Sequence, residues 1–214
     1  MARRLAARGA PTGTLVTARA QTAGRGRQGR TWVTPPGGAL LVTLVLRAVD
    51  PLLSLRGGLA VADLAGERAR VKWPNDVLID GRKIAGVLAE ARPQEGWAVL
   101  GIGVNLALEL DRLPPEVRDR AGTLGRGIAE YEAVLAELLH ALERRLAEPA
   151  AAALKALRGR DALHGAALRW SGGTGTGAGI DDDGRLLVRL PGGEGIALDA
   201  GEVHLAGADV QPAG

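Results

Sequence analysis

The order of apolar and polar residues in the first half of the chain predicts several strands and two helices. Residues 39–47 form a continuous apolar run with β-branched side chains, which is typical of a strand buried on both faces. Residues 51–68 carry apolar side chains at helical spacing instead. The same patterns predict a short helix at residues 1–8 and strands at residues 14–20, 70–73, 77–79, 83–90 and 97–105.

Two features separate these elements. The segment 21–38 is rich in Gly, Arg and Pro and contains almost no core-forming residues, so we expect a long loop there. The dipeptide Asp80-Gly81 lies between two predicted strands and is the strongest short signal for a β-hairpin in the chain.

The second half of the chain changes character at about residue 160. Residues 128–146 have the apolar spacing of a long amphipathic helix. After it, short strand-like segments alternate with glycine and Asp-Gly turns, at residues 166–170, 185–190, 196–198 and 202–205. We therefore predict an α+β protein with a larger domain over residues 1–162 and a small β-barrel-like module over residues 163–214.

Composition excludes several classes of protein. The hydrophobic fraction of 46% and the charged fraction of 24% are those of a soluble globular protein, and a net charge of +3 is too small to indicate nucleic-acid binding. The chain has no cysteine, which excludes disulfides and a thiol nucleophile. Its longest apolar run is too short to cross a membrane, and nothing after the basic residues 1–8 resembles a signal peptide, so we expect a cytoplasmic protein.

The inventory of polar side chains argues against common hydrolases. The only serines are Ser54 and Ser171, and neither lies in a nucleophile-elbow sequence. The three histidines are scattered, without the spacing of metal ligands. We therefore disfavour Ser-His hydrolases and zinc enzymes, and we predict no metal site built from protein side chains.

Lysine is rare in this chain, and its positions are informative. Arginine is the usual basic residue, and the only lysines are Lys72, Lys83 and Lys155. The chain has two asparagines: Asn75 lies in the same segment as Lys72 and Lys83, and Asn105 lies at the end of the next predicted strand. In such a chain a lysine suggests a need for a compact and flexible ammonium group. This pattern directs attention to the segment 71–90.

The segment 21–38, here called the glycine-arginine loop, contains the glycine spacing of a dinucleotide-binding turn without the helix that should follow it. Residues 24–29 (GRGRQG) match the glycine spacing of dinucleotide-binding turns. That fold needs a helix to begin at the glycines, and the sequence that follows, TWVTPP, cannot begin one. The loop instead places Arg25, Arg27 and Arg30 on glycine hinges, where guanidinium groups can bind a phosphate through paired hydrogen bonds. On this segment alone, a solvated basic loop is an equally good interpretation.

An entropy estimate predicts how such a loop behaves. Ordering nine residues costs about 9–18 kcal/mol at about 1–2 kcal/mol per residue. A charge-assisted hydrogen bond contributes only about 1.5–3 kcal/mol. We therefore expect the loop to be mobile when it is empty and to close over a tightly bound anion.

Residues 71–76 (VKWPND) place a cation, an aromatic side chain and a tight polar turn between two strands. The hairpin then returns Lys83, which can reach a carboxylate or a phosphate, and Gly86, which lets a ligand approach the backbone. Strand alternation places Gly86 on the opposite face from Lys83. The simpler alternative to a binding site is an ordinary turn with a surface lysine. Lys72 could also be a partner in an internal ion pair.

Several segments together resemble the biotin protein ligases in order and spacing. They are residues 21–27 (QTAGRGR), Trp32, residues 72–76 (KWPND), residues 82–86 (RKIAG) and residues 101–105 (GIGVN). The resemblance covers residues 1–105 and continues more weakly into the C-terminal module, where residues 179–181 (GID) and 201–203 (GEV) are similar to the family's SH3-like domain. The combination is highly specific, whereas any one motif alone is not.

The resemblance implies a mixed-sheet catalytic domain of the class II synthetase type, followed by an SH3-like β-barrel. Lys83, Arg25 and Arg27 are the residues implied to act in catalysis, and Asn105 is expected to be structural. The biotin-binding residues implied are Gln21, Arg25, Gly26, Arg27, Lys83 and Gly86. The nucleotide-binding residues implied are Gly24, Arg30, Trp32, Lys72, Asn75 and Asp76.

These roles follow the family's reaction. Gln21 would hydrogen-bond the ureido ring of biotin, and the arginine loop would close over the adenylate phosphate. Lys83 would neutralise the biotin carboxylate and then the phosphate. The implied substrates are ATP and biotin, with Mg²⁺, and the acceptor is a lysine in the biotin carboxyl-carrier domain of a carboxylase. No protein nucleophile is required, because positioning and cations supply the catalysis.

The chain departs from the family pattern in two places. Family members begin the catalytic domain with a strand that ends in Ser-Thr-Asn, just before the helix that matches residues 1–8. This chain starts inside that helix, so we expect the true start to lie upstream. The helix-turn-helix domain of regulatory members is absent, so we expect no specific DNA binding. We also expect no membrane binding and either a monomer or a homodimer.

Three other functions stay open. The first is a lipoate or octanoate protein ligase of related fold, against which the glycine-arginine loop and the KWPND segment argue. The second is a domain that binds nucleic acid through the arginines of the loop. The third is a truncated, inactive relative that only binds nucleotide.

Overall fold

The computed structural model describes residues 1–113 and 115–206. The larger domain contains helices α1 (Ala2–Ala7), α2 (Leu53–Ala65), α3 (Pro115–Arg118), α4 (Tyr131–Ala147) and α5 (Ala150–Gly159). Its strands are β1 (Leu15–Ala18), β2 (Ala39–Leu46), β3 (Ala69–Lys72), β4 (Asp76–Ile79), β5 (Arg82–Arg92) and β6 (Trp97–Asn105). The module contains β7 (Ala167–Trp170), β8 (Gly173–Ile180), β9 (Leu186–Arg189), β10 (Gly195–Leu198) and β11 (His204–Leu205). The elements predicted in residues 1–105 are confirmed, with ends shifted by a few residues.

Strands β1 to β6 form one sheet in the order β1-β2-β6-β5-β4-β3. Each neighbouring pair is antiparallel. Within residues 1–113 and 115–206, parallel pairing is limited to two isolated bridges, Val71 with Asp161 and Lys83 with Ala121. The turn between β4 and β5 has φ angles of 50° at Asp80 and 77° at Gly81, as a two-residue hairpin requires. The predicted α+β class and the predicted hairpin are confirmed.

The two faces of this sheet have different partners. Helix α2 packs on β3, β5 and β6, and α4 and α5 pack against α2. The apolar side chains between these layers form the main core, which includes fully buried Leu40, Leu59 and Leu138. On the other face, Ala2 and Ala6 of α1 lie in a smaller cluster with side chains of β2 and β6. Another part of that face, around Thr43, Gly86, Gly101 and Gly103, is the floor of the cavity described below.

The C-terminal module is fastened to the larger domain. Its strands form an antiparallel sheet in the order β10-β9-β8-β7-β11, and its buried residues, such as Leu186, belong to the main core cluster. The backbone N–H of Val71 donates to the carbonyl of Arg160 at 2.8 Å, so the linker continues the sheet beyond edge strand β3. The buried Trp73 donates from Nε1 to the carbonyl of Gly184 at 3.1 Å. These contacts stabilise a module whose own core is small, and the boundary between residues 162 and 163 stays a prediction.

Helix α5 and strand β8 were not predicted. Strand β8 has the sequence GTGTGAGI, and glycine disfavours strands when only local preferences act. In the folded module a Cβ at Gly177 would lie 1.9 Å from the carbonyl oxygen of Leu163, and one at Gly175 would lie 2.6 Å from that of Arg189. Close backbone packing therefore requires these glycines, and only the tertiary structure shows it.

A helix that crosses a membrane must be long and predominantly apolar. No helix within residues 1–113 and 115–206 combines these two properties.

Candidate active site

A cavity of about 350 Å³ lies on the sheet face away from α2, and both the glycine-arginine loop and the C-terminal module contribute to its walls. Of the predicted site residues, Gly24 alone is not part of the lining. The predicted residues that line the cavity are Gln21, Arg25, Gly26, Arg27, Arg30, Trp32, Lys72, Asn75, Asp76, Lys83 and Gly86. Segments that are far apart in the sequence therefore meet in one place.

The glycine-arginine loop forms a narrow hairpin. The backbone N–H of Trp32 donates to the carbonyl of Gly24 at 3.1 Å, and that of Gly26 donates to the carbonyl of Arg30 at 2.7 Å. A Cβ at Gly24 would lie 2.2 Å from the carbonyl oxygen of Trp32, so the two arms can approach only at a glycine. A single 3₁₀ turn over Arg27–Gly29 forms the tip, and the chain then extends, which confirms that this segment is not a dinucleotide-binding turn. The mobility of the empty loop stays a prediction.

The indole ring of Trp32 lies against a floor made by two glycines. Gly86 of β5 and Gly103 of β6 are partners in the sheet register. A Cβ at Gly103 would lie 2.9 Å from Cε2 of the ring, and a Cβ at Gly86 would lie 3.0 Å from Cζ3. Both positions must therefore be glycine if the ring is to lie where it does. The ring nitrogen Nε1 is buried and has no hydrogen-bond partner among the residues that the structure describes.

Lys83 lies at the edge of this floor. Its Nζ is 2.7 Å from Oδ1 of Asp76 and 5.3 Å from the centroid of the Trp32 ring. The Lys83 side chain is 34% exposed, whereas that of Asp76 is 19% exposed, so the ammonium group is accessible from the cavity. Lys72 is the register partner of Asp76 on the adjacent strand. Burial lowers the pKa of Lys72, Asp76 opposes this, and the nearby Lys83 adds to it.

The prediction that Gly86 faces away from Lys83 is wrong. The register between β4 and β5 shifts, so that Val77 pairs with Ala85 while the next residue, Leu78, pairs with Lys83. Ile84 is therefore an extra residue, and such a bulge reverses the alternation of faces. Lys83 and Gly86 consequently face the same cavity, and Nζ of Lys83 lies 3.4 Å from the position of a Cβ at Gly86.

Asn105 connects the backbone of Lys83 to the segment after β6. It is 5% exposed, and its Nδ2 donates to the carbonyls of Gly122 at 2.9 Å and Lys83 at 3.3 Å. The backbone N–H of Lys83 donates to the carbonyl of Arg120 at 2.7 Å, and that of Gly122 returns to the carbonyl of Lys83 at 2.8 Å. These contacts fit the structural role expected for Asn105.

The turn before β4 is fastened to β5 by Asn75. Its Nδ2 donates to the carbonyl of Val87 at 3.1 Å, and the backbone N–H of Val87 donates to the carbonyl of Asn75 at 2.8 Å. The neighbouring Asp76 is thereby held beside Lys83. Trp73, in the same motif, is 4% exposed and binds the module through Nε1.

Sequence reasoning missed several lining residues. Thr43 of β2 and Gly101 of β6 lie on the floor, and Glu202 of the module lies in the wall. Thr43 had a signal, because it is the one polar side chain in the apolar run 39–46. Glu202 had no local signal as a site residue, since its place depends on how the module packs. Its Oε1 accepts a hydrogen bond from Nη1 of Arg30 at 2.5 Å.

The electrostatics of the cavity suit an anion. Six cationic side chains line it, against the carboxylates of Asp76, Glu90 and Glu202. Burial lowers the pKa of Arg27, and the neighbouring Asp76 opposes this. Guanidinium and ammonium groups in a partly enclosed site can bind and neutralise carboxylates and phosphates. Among the described residues, no cluster of three or more His, Asp or Glu side chains could hold a metal ion.

Comparison with known proteins identifies the class of this fold. Residues 3–106 match the biotin/lipoate A/B protein ligase family, and residues 174–205 match the biotin protein ligase C terminal domain. The structure of the biotin protein ligase from Aquifex aeolicus in complex with biotin and ATP superimposes with a TM-score of 0.79 and 26% identity, covering 96% of this chain and 94% of that chain.

Sequence relatives narrow the class to one family. The biotin–[acetyl-CoA-carboxylase] ligase of Mycobacterium tuberculosis is 36% identical over 220 residues, which cover 90% of this chain and 79% of that protein. The bifunctional ligase/repressor BirA of Bacillus spizizenii is 37% identical over 159 residues, which cover 67% of this chain and 49% of that protein. The chain thus spans about half the length of this bifunctional relative. It belongs to the biotin protein ligase family, as its motifs predicted.

Proposed function

We propose that this chain joins biotin to a lysine of a carrier protein, at the expense of ATP and through biotinyl-5′-AMP. The observation that carries the proposal is the position of Lys83. Its ammonium group lies at a glycine floor, 2.7 Å from Asp76, in a cavity whose wall contains Arg25, Arg27 and Arg30. Membership of the biotin protein ligase family and the match of residues 174–205 to that family's C-terminal domain support biotin as the substrate.

In the first step the biotin carboxylate attacks the α-phosphate of ATP, and pyrophosphate leaves. The carboxylate is already ionised at neutral pH, so no protein base is required. Lys83 neutralises the carboxylate and then the phosphate, on which negative charge develops. Arg25 and Arg27 bind the phosphate from the loop side, and Gly26 lets the backbone close around it. Gln21, at the mouth of the loop, hydrogen-bonds the ureido ring.

The nucleotide side of the site is assigned to residues around the loop and the KWPND segment. Trp32 contributes an apolar wall, and Arg30 and Lys72 contribute positive charge. Asn75 and Asp76 shape this side, and Gly24 fixes the approach of the two loop arms. These assignments rest on position and family resemblance together.

The residues of this site are suited to bind Mg²⁺ together with ATP. Mg²⁺ commonly keeps several waters and binds through one or two carboxylates together with substrate phosphates. Asp76 is the carboxylate best placed for this, since it borders the cavity beside Lys83. When bound, the ion would neutralise phosphate charge.

In the second step the amine of the carrier lysine attacks the acyl carbonyl of biotinyl-5′-AMP. An amide bond forms, the acyl–phosphate bond breaks, and AMP leaves with the electron pair. The closed loop keeps water away from the mixed anhydride until the carrier arrives. The carrier proposed is a biotin carboxyl-carrier domain of a carboxylase. A cytoplasmic location, a monomeric or homodimeric state and the lack of specific DNA binding stay predictions.

Substrate competition tests this proposal. Pyrophosphate release is measured with ATP, magnesium and either biotin, lipoate or octanoate, first alone and then in mixtures. Turnover with biotin that lipoate does not inhibit supports the proposal, and preferred turnover of lipoate or octanoate contradicts it. Binding of ATP with no turnover of any acid by the folded protein would favour the inactive nucleotide-binding alternative.

A further inference from the structure

We infer that Glu202 of the C-terminal module is a positioning residue for the glycine-arginine loop. Glu202 holds the guanidinium group of Arg30 at the cavity, so the hairpin conformation of the loop depends on a residue outside the larger domain. The effect on nucleotide binding rests on the proposed function, whereas the connection between loop and module does not.

The geometry joins two distant parts of the chain. Nη1 of Arg30 lies 2.5 Å from Oε1 of Glu202, and 172 positions separate the two residues in the sequence. The Arg30 side chain is 54% exposed and that of Glu202 is 31% exposed, so the pair lies at the rim of the cavity. Gly201, Glu202 and Val203 all line the same cavity as the loop.

One end of this ion pair is firmly held. Val203 follows Glu202 directly, is 1% exposed and belongs to the main core cluster. The next residue, His204, begins β11 and pairs with Arg169 of β7. The carboxylate of Glu202 is therefore presented from a fixed backbone.

The other end controls the loop. Arg30 lies on the returning arm of the hairpin, and its carbonyl accepts the hydrogen bond from Gly26 on the outgoing arm. Arg25 and Thr31 form an isolated bridge directly beside that contact. A restraint on Arg30 therefore restrains both arms, including the segment that contains Arg25 and Arg27.

The charges around Glu202 favour this use of its carboxylate. Nε2 of His204 lies 3.6 Å from the same Oε1. Burial lowers the pKa of His204, Glu202 opposes this, and the nearby cations Lys72, Arg30 and Arg169 add to the lowering. A second positive charge on His204 is therefore disfavoured, and Arg30 is the cation that pairs with Glu202.

Pairing with Glu202 leaves Arg30 able to bind a ligand. A guanidinium group has five N–H donors in a fixed plane, and Glu202 engages Nη1. The other donors can bind a phosphate oxygen at the same time. Glu202 therefore orients Arg30 and does not replace the phosphate.

Limited trypsin digestion of the ligand-free, full-length chain tests the connection directly, because trypsin cleaves after the loop arginines. Glu202→Gln keeps the shape of the side chain and removes its charge. We expect cleavage in the loop to become about two- to five-fold faster, the size of effect that a partly exposed ion pair supports. Arg30→Gln removes the pair from the loop side and should accelerate cleavage after Arg25 and Arg27 by a similar factor.

Asp182→Asn is the matched control. It removes another ion pair between the module and the larger domain, Arg158 with Asp182 at 2.6 Å, whose residues do not line the cavity. Loop cleavage should stay at the rate of the unmodified protein. Circular dichroism on each variant verifies that the fold is kept.

A second measurement connects the loop to the reaction. Glu202→Gln should raise the KM for ATP by about two- to five-fold with a smaller change in kcat, and Glu202→Asp should recover part of the loss. Unchanged loop cleavage in both Glu202→Gln and Arg30→Gln would overturn the inference, as would tighter ATP binding by Glu202→Gln, since Glu202 would then compete with the phosphate. The digestion needs no ligand, so it remains decisive even if the proposed ligase activity is not found.

Discussion

Lys83 and Asp76 form an ion pair of 2.7 Å across the β4–β5 hairpin, and the bulge at Ile84 makes this pair part of the cavity. Without the extra residue, strand alternation would place Lys83 and Gly86 on opposite faces of the sheet. With it, the cation lies directly above a glycine where a ligand can approach. This local irregularity therefore places Lys83 and Gly86 in the same cavity.

The glycine floor predicts a specific effect of one added methyl group. Gly103→Ala places a Cβ 2.9 Å from the Trp32 ring, so the ring must move, at a cost of about 1–3 kcal/mol if its surroundings resist. Gly101→Ala is the control, because its Cβ meets only ordinary contacts, the nearest at 3.5 Å. Tryptophan fluorescence should shift to longer wavelength in the first variant and much less in the second. Equal spectra for the two variants would show that the ring does not lie on this floor.

Removal of the Asn105 side chain should weaken both the fold and the position of Lys83. Asn105→Ala leaves the buried carbonyl of Gly122 without this donor, and we expect a loss of about 1–3 kcal/mol in the free energy of unfolding. Thr123→Ala, in the same segment but half-buried and with only a hydrogen bond from the exposed Gly125 at its hydroxyl, should change this free energy less. Urea denaturation measures both. A variant as stable as the parent would contradict the connecting role assigned to Asn105.

Asp161 predicts a pH-dependent stability. Its Oδ1 accepts the backbone N–H of Leu163 at 2.8 Å, while its Oδ2 is buried without a hydrogen-bond partner among the described residues. Burial raises the pKa of Asp161 in the folded protein above the unfolded value of 3.8. Below that value both states are protonated, and above it the unfolded state loses its proton first, so ionisation destabilises the fold until the folded pKa is passed.

Asp161→Asn removes this titration and keeps an acceptor for Leu163. The free energy of unfolding of the variant should therefore rise relative to the parent as the pH increases from about 4, and then reach a plateau. Urea titrations of both proteins between acidic and neutral pH measure the difference. A difference that stays constant or falls with pH would mean that Asp161 is not held in its protonated form.

The hydrogen bond between Trp73 and Gly184 predicts how the module is attached. Trp73→Phe removes the Nε1 donor and leaves a buried carbonyl unpaired, at a cost of about 1–3 kcal/mol. Hydrogen exchange should accelerate in the module. Trp97→Phe is a matched control, because Trp97 is also buried but its Nε1 donates locally to Glu95 at 2.8 Å. Equal module exchange in the two variants would argue against the anchoring role of Trp73.

Much of this site could be predicted from sequence, because its chemistry is concentrated in short motifs. The hairpin at Asp80-Gly81 and the buried strand β2 follow from local rules of turn formation and apolar pattern. The grouping of the arginine loop with Lys83 came from family resemblance, and the structure brings these residues to one cavity.

Other features depend on tertiary packing and had no local signal. The apolar pattern cannot predict the bulge at Ile84, because Ile84 and Ala85 are both apolar and the pattern does not distinguish which of them is the extra residue. Strand β8 was hidden by glycines that only close packing explains. The contact of Glu202 with Arg30 exists only because the module packs beside the loop, so a reading of either segment alone could not find it.

The most direct test of the proposed ligase is transfer of labelled biotin to a carrier domain, with ATP and magnesium, by three proteins. Lys83→Met removes the cavity ammonium and keeps the apolar stem, while Lys155→Met does the same at an exposed position on α5. We expect transfer by the parent and by Lys155→Met, and a loss of about 10²–10³-fold in Lys83→Met, the size typical of removing one electrostatic contact to a transition state. Transfer by Lys83→Met at the rate of the parent would contradict the role proposed for Lys83 and, with it, the proposed site.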